Sequence, residues 1–314
     1  MTPLRIIFAG SGEFGLPTLR ALTGGRGPVA IELLQVISQP DRPAGRGRKL
    51  APTPISQFAI DRGLPLLRTD DINREPLPPA DLMIVIAFGQ KISEAAANHP
   101  RLGSVNLHSS RLPKYRGAAP INWAVIDGLS QTGNSIIRLA QRMDAGAVLA
   151  MSTLDIGPTE TAGELHDRLA EDGAPLMLET VRQLASGTAR ETPQDESQAT
   201  RAAKLNRDST RIDWTRPAER IASQIRGMYP WPGCRVRLVD SGGNGLARLT
   251  LARAKSVEGA GGAPGQILDG GFVAAGGGAV EVIDVQPEGK RAMALGAYAN
   301  GHAWPVGARL ESLV

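Results

Sequence analysis

Apolar runs and helix-like segments alternate along the first half of the chain. Runs that are apolar throughout, rather than at every second position, are typical of strands buried on both faces of a parallel sheet. The predicted strands are 4–9, 30–37, 80–87, 103–108, 134–140 and 146–153, and the predicted helices are 15–23, 53–62, 91–97 and 117–127. The pattern therefore predicts an α/β domain with a Rossmann-like parallel sheet.

The second half of the chain has a different pattern. A long helix is predicted over 161–186, a polar segment follows at 187–203, and one more helix is predicted at 217–228. Short apolar segments separated by glycines come next, at 234–239, 246–254, 265–268, 272–275 and 279–285. Such spacing indicates a small OB-like β-barrel. The predicted organisation is a domain at 1–186, a linker at 187–203 and a second domain at 204–314.

Composition narrows the class of protein. Hydrophobic residues make up 42% and charged residues 21% of the chain, which is ordinary for a globular protein. One cysteine, Cys234, excludes an internal disulfide, and the four histidines are scattered, so no metal site is expected. No apolar run is long enough to span a bilayer and no signal peptide is evident. A monomeric cytoplasmic protein without a membrane partner is expected.

The distribution of charge adds a hint about partners. Basic and acidic residues balance over 1–203, so the whole net charge of +4 lies in 204–314. A basic module beside a neutral one is consistent with an anionic partner such as nucleic acid. Charge alone fits a soluble, slightly basic domain equally well.

The stretch GSGEFG at 10–15 spells G-x-G-x-x-G directly after an apolar run. A dinucleotide site also requires an acidic residue at the end of the second strand, about 20 residues on. Glu32 lies at the beginning of that strand, and Asp41 belongs to the next loop. A nicotinamide cofactor is therefore not expected, and Gly10 and Gly12 are interpreted as permitting a tight strand-to-helix turn near the ligand edge of the sheet.

Three polar residues carry candidate chemistry. Asn106 and His108 alternate at the end of a predicted strand, so their side chains share one side, and Asp144 lies in a turn between two apolar strands. An amide and an imidazole can donate to a developing oxyanion, while a carboxylate can orient the imidazole or move a proton. Taken singly, such a histidine is more often structural and such an aspartate a turn former. Together they indicate possible acyl transfer.

These residues belong to segments that resemble the folate-dependent formyltransferases. The similar segments are NLHSSRLPKYRGAAPI at 106–121, MDAG at 143–146, the basic loop QPDRPAGRGRKL at 39–50, RIDW at 211–214 and PWP at 230–232. The last three are similar to the members that act on methionyl-tRNA. The resemblance implies transfer of a formyl group from 10-formyltetrahydrofolate to initiator methionyl-tRNA, with Asn106, His108 and Asp144 as the catalytic residues.

The resemblance also implies where the folate binds. The expected contacts come from two segments: Ile86, Ala87, Phe88 and Gly89, and Ser110, Arg111, Leu112 and Pro113. Arg111 stands where the family usually has Leu, and it can face either solvent or an acidic group of the folate. Solvent is preferred because charged side chains resist full burial. Gly12 replaces a usual Pro, and both residues suit a turn.

Cations are expected to bind the RNA. Glycines and prolines separate the basic residues of 39–50, so neither helix nor strand is expected there and the loop is free to order on RNA. Its cations would meet phosphates, joined by two residues near the catalytic strand end; the set is Arg42, Arg46, Arg48, Lys49, Lys114 and Arg116. Without the resemblance, a solvated loop is the simpler interpretation. Trp214 and Trp231 are interpreted as core residues rather than stacking platforms.

Two other functions stay open from sequence alone. A formyl-carrying enzyme with the same two domains can act on a nucleotide-sugar amine or hydrolyse the formyl group, although a small substrate would not need the basic loop. A non-enzymatic RNA-binding protein would keep the charge but has no use for Asn106, His108 and Asp144 together.

Overall fold

The computed structural model describes residues 2–25, 29–44, 47, 49–259 and 261–313. The described chain packs into two compact units that do not follow chain order. The first unit contains 1–117, 133–154 and 166–201, and the second contains 118–132, 155–165 and 202–314. The predicted domain boundaries at 186 and 204 divide the chain in sequence order, so they remain a prediction beside these two discontinuous units.

The secondary structure consists of nineteen strands and seven α-helices within the described residues. The strands are β1 Leu4–Gly10, β2 Ile31–Ser38, β3 Arg42–Ala44, β4 Lys49–Ala51, β5 Leu66–Arg68, β6 Leu82–Ile86, β7 Ser104–His108, β8 Arg116–Gly117, β9 Gln131–Thr132, β10 Ser135–Arg138, β11 Val148–Met151, β12 Leu154–Asp155, β13 Arg201–Ala202, β14 Cys234–Val239, β15 Gly245–Val257, β16 Val273–Ala274, β17 Ala279–Pro287, β18 Met293–Ala294 and β19 Arg309–Leu313. The helices are α1 Leu16–Thr23, α2 Pro54–Asp61, α3 Glu94–Ala97, α4 Pro120–Ile126, α5 Ala162–Ala185, α6 Ala218–Met228 and α7 Leu295–Ala299.

A seven-stranded sheet organises the first unit, in the order β11-β10-β7-β6-β1-β2-β5. Strands β7, β6, β1, β2 and β5 run parallel, and β6 is buried along its whole length. The Rossmann-like prediction is confirmed for this part. The expectation that 134–140 continues a parallel sheet is wrong, because β10 pairs antiparallel with β7 and with β11. An apolar run indicates that a strand is buried on both faces, but it does not indicate whether the strand runs parallel or antiparallel to its neighbours.

Local capping explains where two helices of the first unit begin. The Thr53 hydroxyl accepts a hydrogen bond from the Ser56 amide at the start of α2, and Ser93 does the same for Ala96 at the start of α3. Each satisfies a backbone donor that the first helical turn leaves unpaired. The predicted long helix over 161–186 is confirmed as α5.

An antiparallel sheet, in the order β16-β17-β15-β14-β19, forms the nearly closed barrel-like core of the second unit. No strand forms at the predicted 265–268. Instead Gln266 bridges to Arg309 of β19 and Ile267 bridges to Val273 of β16. This segment therefore links the two edge strands, which explains why it is apolar although it is too short for a strand of its own.

Two properties of the described residues bear on the kind of site to expect. No helix there has both the length and the apolar character needed to cross a membrane. Within the same residues, no group of three or more His, Cys, Asp or Glu side chains is placed to hold a metal ion.

Candidate active site

His108 ends β7 at the carboxyl edge of the parallel strands and is buried. Its Nε2 lies 2.9 Å from the carbonyl oxygen of Tyr115, which can only accept, so Nε2 carries a proton and donates it. Its Nδ1 lies 3.7 Å from Oδ2 of Asp144. The predicted pairing of imidazole and carboxylate is thus present in the fold, and both ring nitrogens have a fixed neighbour.

Asp144 lies in the turn between β10 and β11. Its Oδ2 accepts a 2.8 Å hydrogen bond from the Gly117 amide, so the carboxylate is held from a second direction. Its backbone φ is +54°, in the left-handed region that costs a non-glycine residue about 1–3 kcal/mol. The surrounding contacts must therefore fix this conformation.

Asn106 precedes His108 by two residues and shares its face of β7. It is half-buried, and its strand lies between β6 and β10, where its register partners are Val85 and Ile137. Within the described residues, no protein group hydrogen-bonds to its side-chain amide. That amide is therefore available to donate to a substrate oxygen next to the His108 imidazole.

Backbone strain is concentrated around this edge. Among the described residues, only Ala87, Tyr115 and Asp144 are non-glycine residues with positive φ, at +46°, +62° and +54°. Ala87 follows the end of β6, while Tyr115 and Asp144 contact His108 directly. Such strain persists where surrounding contacts over-determine it, and it is typical of functional sites.

The glycine stretch at 10–15 supports the segment after β6. The amides of Ser11 and Gly12 each donate to the Ala87 carbonyl at 3.3 Å, and the Ser11 hydroxyl donates to the Phe88 carbonyl at 3.2 Å. A Cβ on Gly10 would approach the Ile86 carbonyl oxygen to 2.8 Å. The turn amides that would cradle a pyrophosphate are thus engaged by protein, and the glycines permit close packing of β1 against β6.

The predicted folate residues alternate between buried and exposed positions. Ala87, Gly89 and Arg111 are exposed, Pro113 is half-buried, and the others are buried, namely Ile86, Phe88, Ser110 and Leu112. The Ser110 hydroxyl donates to the Lys114 carbonyl at 2.6 Å, which closes the turn after β7. Arg111 is exposed, as preferred from sequence.

The predicted RNA-binding cations have different surroundings. Arg42, Lys49 and Lys114 are exposed, while Arg46 and Arg48 lie outside the described residues. The expectation that 39–50 contains no strand is wrong, because β3 and β4 pair antiparallel from Arg42 opposite Ala51 to Ala44 opposite Lys49. A hairpin needs only a few paired residues, and Arg42 and Lys49 lie within the paired segments.

Arg116 has surroundings that sequence reasoning did not foresee. It is only 8% exposed. Its guanidinium donates to the side-chain oxygens of Gln194 and Glu196, at distances of 2.8–3.1 Å. These contacts favour a structural role over phosphate binding. Gln194 was not anticipated either, because the polar composition of 187–203 carries no signal for it.

The two tryptophans of the second unit differ from each other. Trp214 is 7% exposed and belongs to the core, as predicted. Trp231 is 67% exposed, so its prediction as a core residue is wrong. It lies on a groove with a volume of about 580 Å³, whose lining includes Arg235, Arg248 and Thr250. Trp231 is flanked by two prolines and lies outside the barrel core, which contains Trp214 together with aliphatic side chains.

The sequence is similar to those of known proteins over most of its length. The family model described as formyl transferase matches residues 4–181, and the model described as formyl transferase, C-terminal domain matches 204–303. The methionyl-tRNA formyltransferase of Symbiobacterium thermophilum is 41% identical, covering 98% of this chain and 95% of the relative. That of Pseudomonas fluorescens is 42% identical over 93% of this chain and 91% of the relative.

Solved structures show the same fold at lower identity. WlaRD, a sugar 3N-formyl transferase solved with dTDP and 5-N-formyl-THF, has a TM-score of 0.64 at 16% identity and covers 93% of this chain and all of its own. HypX from Aquifex aeolicus, solved with tetrahydrofolic acid, has a TM-score of 0.58 at 16% identity, covering 95% of this chain and 47% of HypX. With both family models and these full-length relatives, the chain belongs to the formyl transferase family.

Proposed function

We propose that this enzyme transfers the formyl group of 10-formyltetrahydrofolate to the methionine α-amino group of initiator methionyl-tRNA. The identity of about 40% to methionyl-tRNA formyltransferases over nearly the whole chain supports this substrate pair. The observation that carries the chemistry is the arrangement of His108 and Asp144, 3.7 Å apart, beside the open amide of Asn106. A monomer acting in the cytoplasm is part of the proposal.

The reaction forms one bond and breaks one. The neutral methionine nitrogen attacks the formyl carbon, giving a tetrahedral oxyanion. The bond from that carbon to N10 of the folate then breaks, while one proton leaves the attacking nitrogen and one is delivered to N10. No net charge or electron is transferred, so the protein needs to stabilise the oxyanion and to move a proton.

The three side chains divide this work. The Asn106 amide donates to the oxyanion. When substrate binds, the Nε2–H of His108 leaves the Tyr115 carbonyl and donates to the same oxyanion. The Asp144 carboxylate lies 3.7 Å from Nδ1 of His108, and it relays the proton through water. The Gly117 amide keeps the carboxylate in place.

The residues after β6 and β7 fit a folate. Ala87 and Gly89 are exposed while Ile86 and Phe88 are buried, so only small residues are exposed at the carboxyl end of β6. Small exposed residues leave room for a planar heterocycle to pack against the segment. Residues 110–113, with Arg111 on the exposed side, would contact the rest of the molecule. The folate supplies the formyl group, and the protein supplies its orientation.

Exposed cations support the RNA part of the proposal. In the first unit, Arg42, Lys49 and Lys114 of the predicted RNA-binding set are exposed. In the second unit, Arg235 and Arg248 line the groove of Trp231 and form no ion pair within the described part of the chain. Cations that track a phosphate backbone beside an aromatic ring are the usual elements of single-stranded RNA binding.

Formyl transfer from 10-formyltetrahydrofolate can be measured with initiator methionyl-tRNA, with a nucleotide-sugar amine and with water as acceptors. We expect formylmethionyl-tRNA from the unmodified protein, near-complete loss in His108→Ala, and full activity in His99→Ala, whose histidine is exposed on another segment. Transfer to the sugar amine or steady formate release without tRNA formylation would overturn the acceptor. Equal activity of the two histidine variants would overturn the site.

A further inference from the structure

The three-residue segment Tyr115–Gly117 touches both catalytic partners. Its first carbonyl accepts the His108 Nε2–H at 2.9 Å, and its last amide donates to Asp144 Oδ2 at 2.8 Å. Both end residues have positive φ, +62° at Tyr115 and +127° at Gly117. The relative position of imidazole and carboxylate therefore depends on how this strained segment is fixed.

The side chain of the middle residue fixes it. The Arg116 guanidinium donates through Nε and Nη2 to the Gln194 side-chain oxygen, at 3.0 and 2.8 Å. It also forms a paired contact with the Glu196 carboxylate, at 3.1 and 2.8 Å. Such two-pronged contacts define the orientation of an arginine in both distance and plane.

Gln194 also holds the Asp144 turn. Its side-chain nitrogen donates to the Asp144 carbonyl at 2.8 Å and to the Gly146 carbonyl at 2.7 Å. The same amide group thus binds Arg116 with its oxygen and the Asp144 turn with its nitrogen. Asp144 is held at its backbone by Gln194 and at its carboxylate by Gly117.

The segment 191–200 that carries Gln194 is attached to the first unit along its length. Thr192 exchanges two backbone hydrogen bonds with Val148 of β11, at 2.8 and 2.9 Å. The Thr200 hydroxyl accepts from the Tyr115 amide and the Thr200 carbonyl accepts from the Arg116 amide, both at 2.9 Å. Gln194 lies between these two attachments.

We propose that Gln194 and Arg116 are positioning residues that align Asp144 with His108 for formyl transfer. Neither touches the reacting atoms. The amide of Gln194 ties the Asp144 turn to the 115–117 segment, so loss of its two N–H donors would let the carboxylate move relative to the imidazole. A displacement of about 1 Å in a catalytic group typically costs about 10²-fold in rate. The inference rests on the proposed function.

The test is Gln194→Glu, which keeps the shape and the oxygen facing Arg116 but replaces the donating nitrogen by an oxygen. We expect kcat to fall by about 10²-fold, with little change in the KM for either substrate. Gln198→Ala is the control, because among the described residues its side-chain amide hydrogen-bonds only to Asp195 in the same segment, and it should retain full activity. An unchanged kcat in Gln194→Glu would overturn the proposal.

Two further readouts separate positioning from general structural damage. In an Asp144→Asn background, Gln194→Glu should add almost nothing, because the carboxylate whose position Gln194 controls is already absent. A full additional loss would contradict action through Asp144.

Hydrogen exchange tests the same claim without activity. Gln194→Glu should speed exchange in peptides covering 141–148, whereas Gln198→Ala should not. If Gln194→Glu left hydrogen exchange in these peptides unchanged, the positioning role of Gln194 would be overturned. This holds whichever acceptor the protein formylates. Absence of tRNA formylation by the unmodified protein would instead overturn the proposed function.

Discussion

The edge around His108 and the groove around Trp231 are built in opposite ways. At the edge, the buried His108 has two assigned neighbours, and the half-buried Asp144 is held at its carboxylate and its carbonyl. At the groove, Trp231 is exposed and the cations Arg235 and Arg248 form no ion pair within the described residues.

This difference follows from the work that each region is proposed to do. Stabilising an oxyanion requires donors that are already oriented, since reorganisation during the reaction would cost rate. Binding a long polyanion requires cations that adapt to many phosphates, and exposed side chains without partners do this at little cost. We therefore expect changes at the edge to lower turnover and changes at the groove to weaken RNA binding.

Among the variants that compare the edge with the groove, the largest effect is expected at Asn106. Loss of one oxyanion donor typically costs about 10²–10³ in kcat, so Asn106→Ala should lower turnover by this factor and leave tRNA binding unchanged. Steady-state kinetics check this, with Asn98→Ala at an exposed helix end as the control. A loss confined to the KM for tRNA would place Asn106 outside the oxyanion site.

The next effect concerns the turn of Asp144. A Cβ on Gly146 would overlap the Arg138 carbonyl, so Gly146→Ala must shift this turn. We expect kcat to fall by about 10²-fold, accompanied by a lower Tm. Gly296→Ala is the control, because a Cβ there meets no atom within 4 Å among the described residues. Similar behaviour of the two variants would show that the turn tolerates displacement.

A smaller effect is expected at the groove. Replacing Arg235 and Arg248 by Gln should raise the KM for tRNA and reduce the slope of log affinity against log salt by about 1 per residue, with kcat unchanged. Arg74→Gln serves as the control, because Arg74 is largely exposed and pairs with Asp71 in its own turn. An unaltered salt slope in the double variant would exclude phosphate contacts at the groove.

The smallest effect is the acid sensitivity of Glu196. Hydrogen bonds from Arg116, and then Arg142, lower the pKa of this carboxyl below its ordinary value of 4.5. Its ion pairs therefore stabilise the fold above pH 4.5 and are lost as the pH falls through the lowered pKa. The Tm difference between the unmodified protein and Glu196→Gln should be small near neutral pH, because Glu196 is exposed, and should vanish in acid.

Scans of Tm against pH measure this difference. Glu32→Gln, at an exposed position of β2, should show no comparable pH-dependent difference. A Tm difference for Glu196→Gln that persisted or grew in acid would contradict the assigned ion pairs.

Sequence patterns predicted those elements of the fold that depend on neighbouring residues in the chain. A fully apolar run identified β6, a largely apolar run identified β1, and alternation placed Asn106 and His108 on one face of β7. The direction of β10 was missed, because burial looks the same in either direction. The segment 265–268 was assigned to a strand, but it closes the barrel through two bridges that depend on distant partners.

The site was likewise predicted only in part. Asn106, His108 and Asp144 were recognised by residue type and position, but the residues that hold them in place were not. Gln194 lies 50 residues beyond the carbonyl that it holds, in a segment whose composition is that of a linker. Arg116 carried the same charge as its exposed neighbours, and only the fold reveals its burial. Long-range contacts of this kind leave no local periodicity.

The most direct test of the account is a side-by-side kinetic comparison of Asn106→Ala with the Arg235→Gln, Arg248→Gln double variant, using methionyl-tRNA and 10-formyltetrahydrofolate. The account predicts a large fall in kcat at constant KM for the first protein, and a raised KM for tRNA at constant kcat for the second. If both proteins changed the same kinetic parameter, catalysis and RNA binding would not be divided between these two regions.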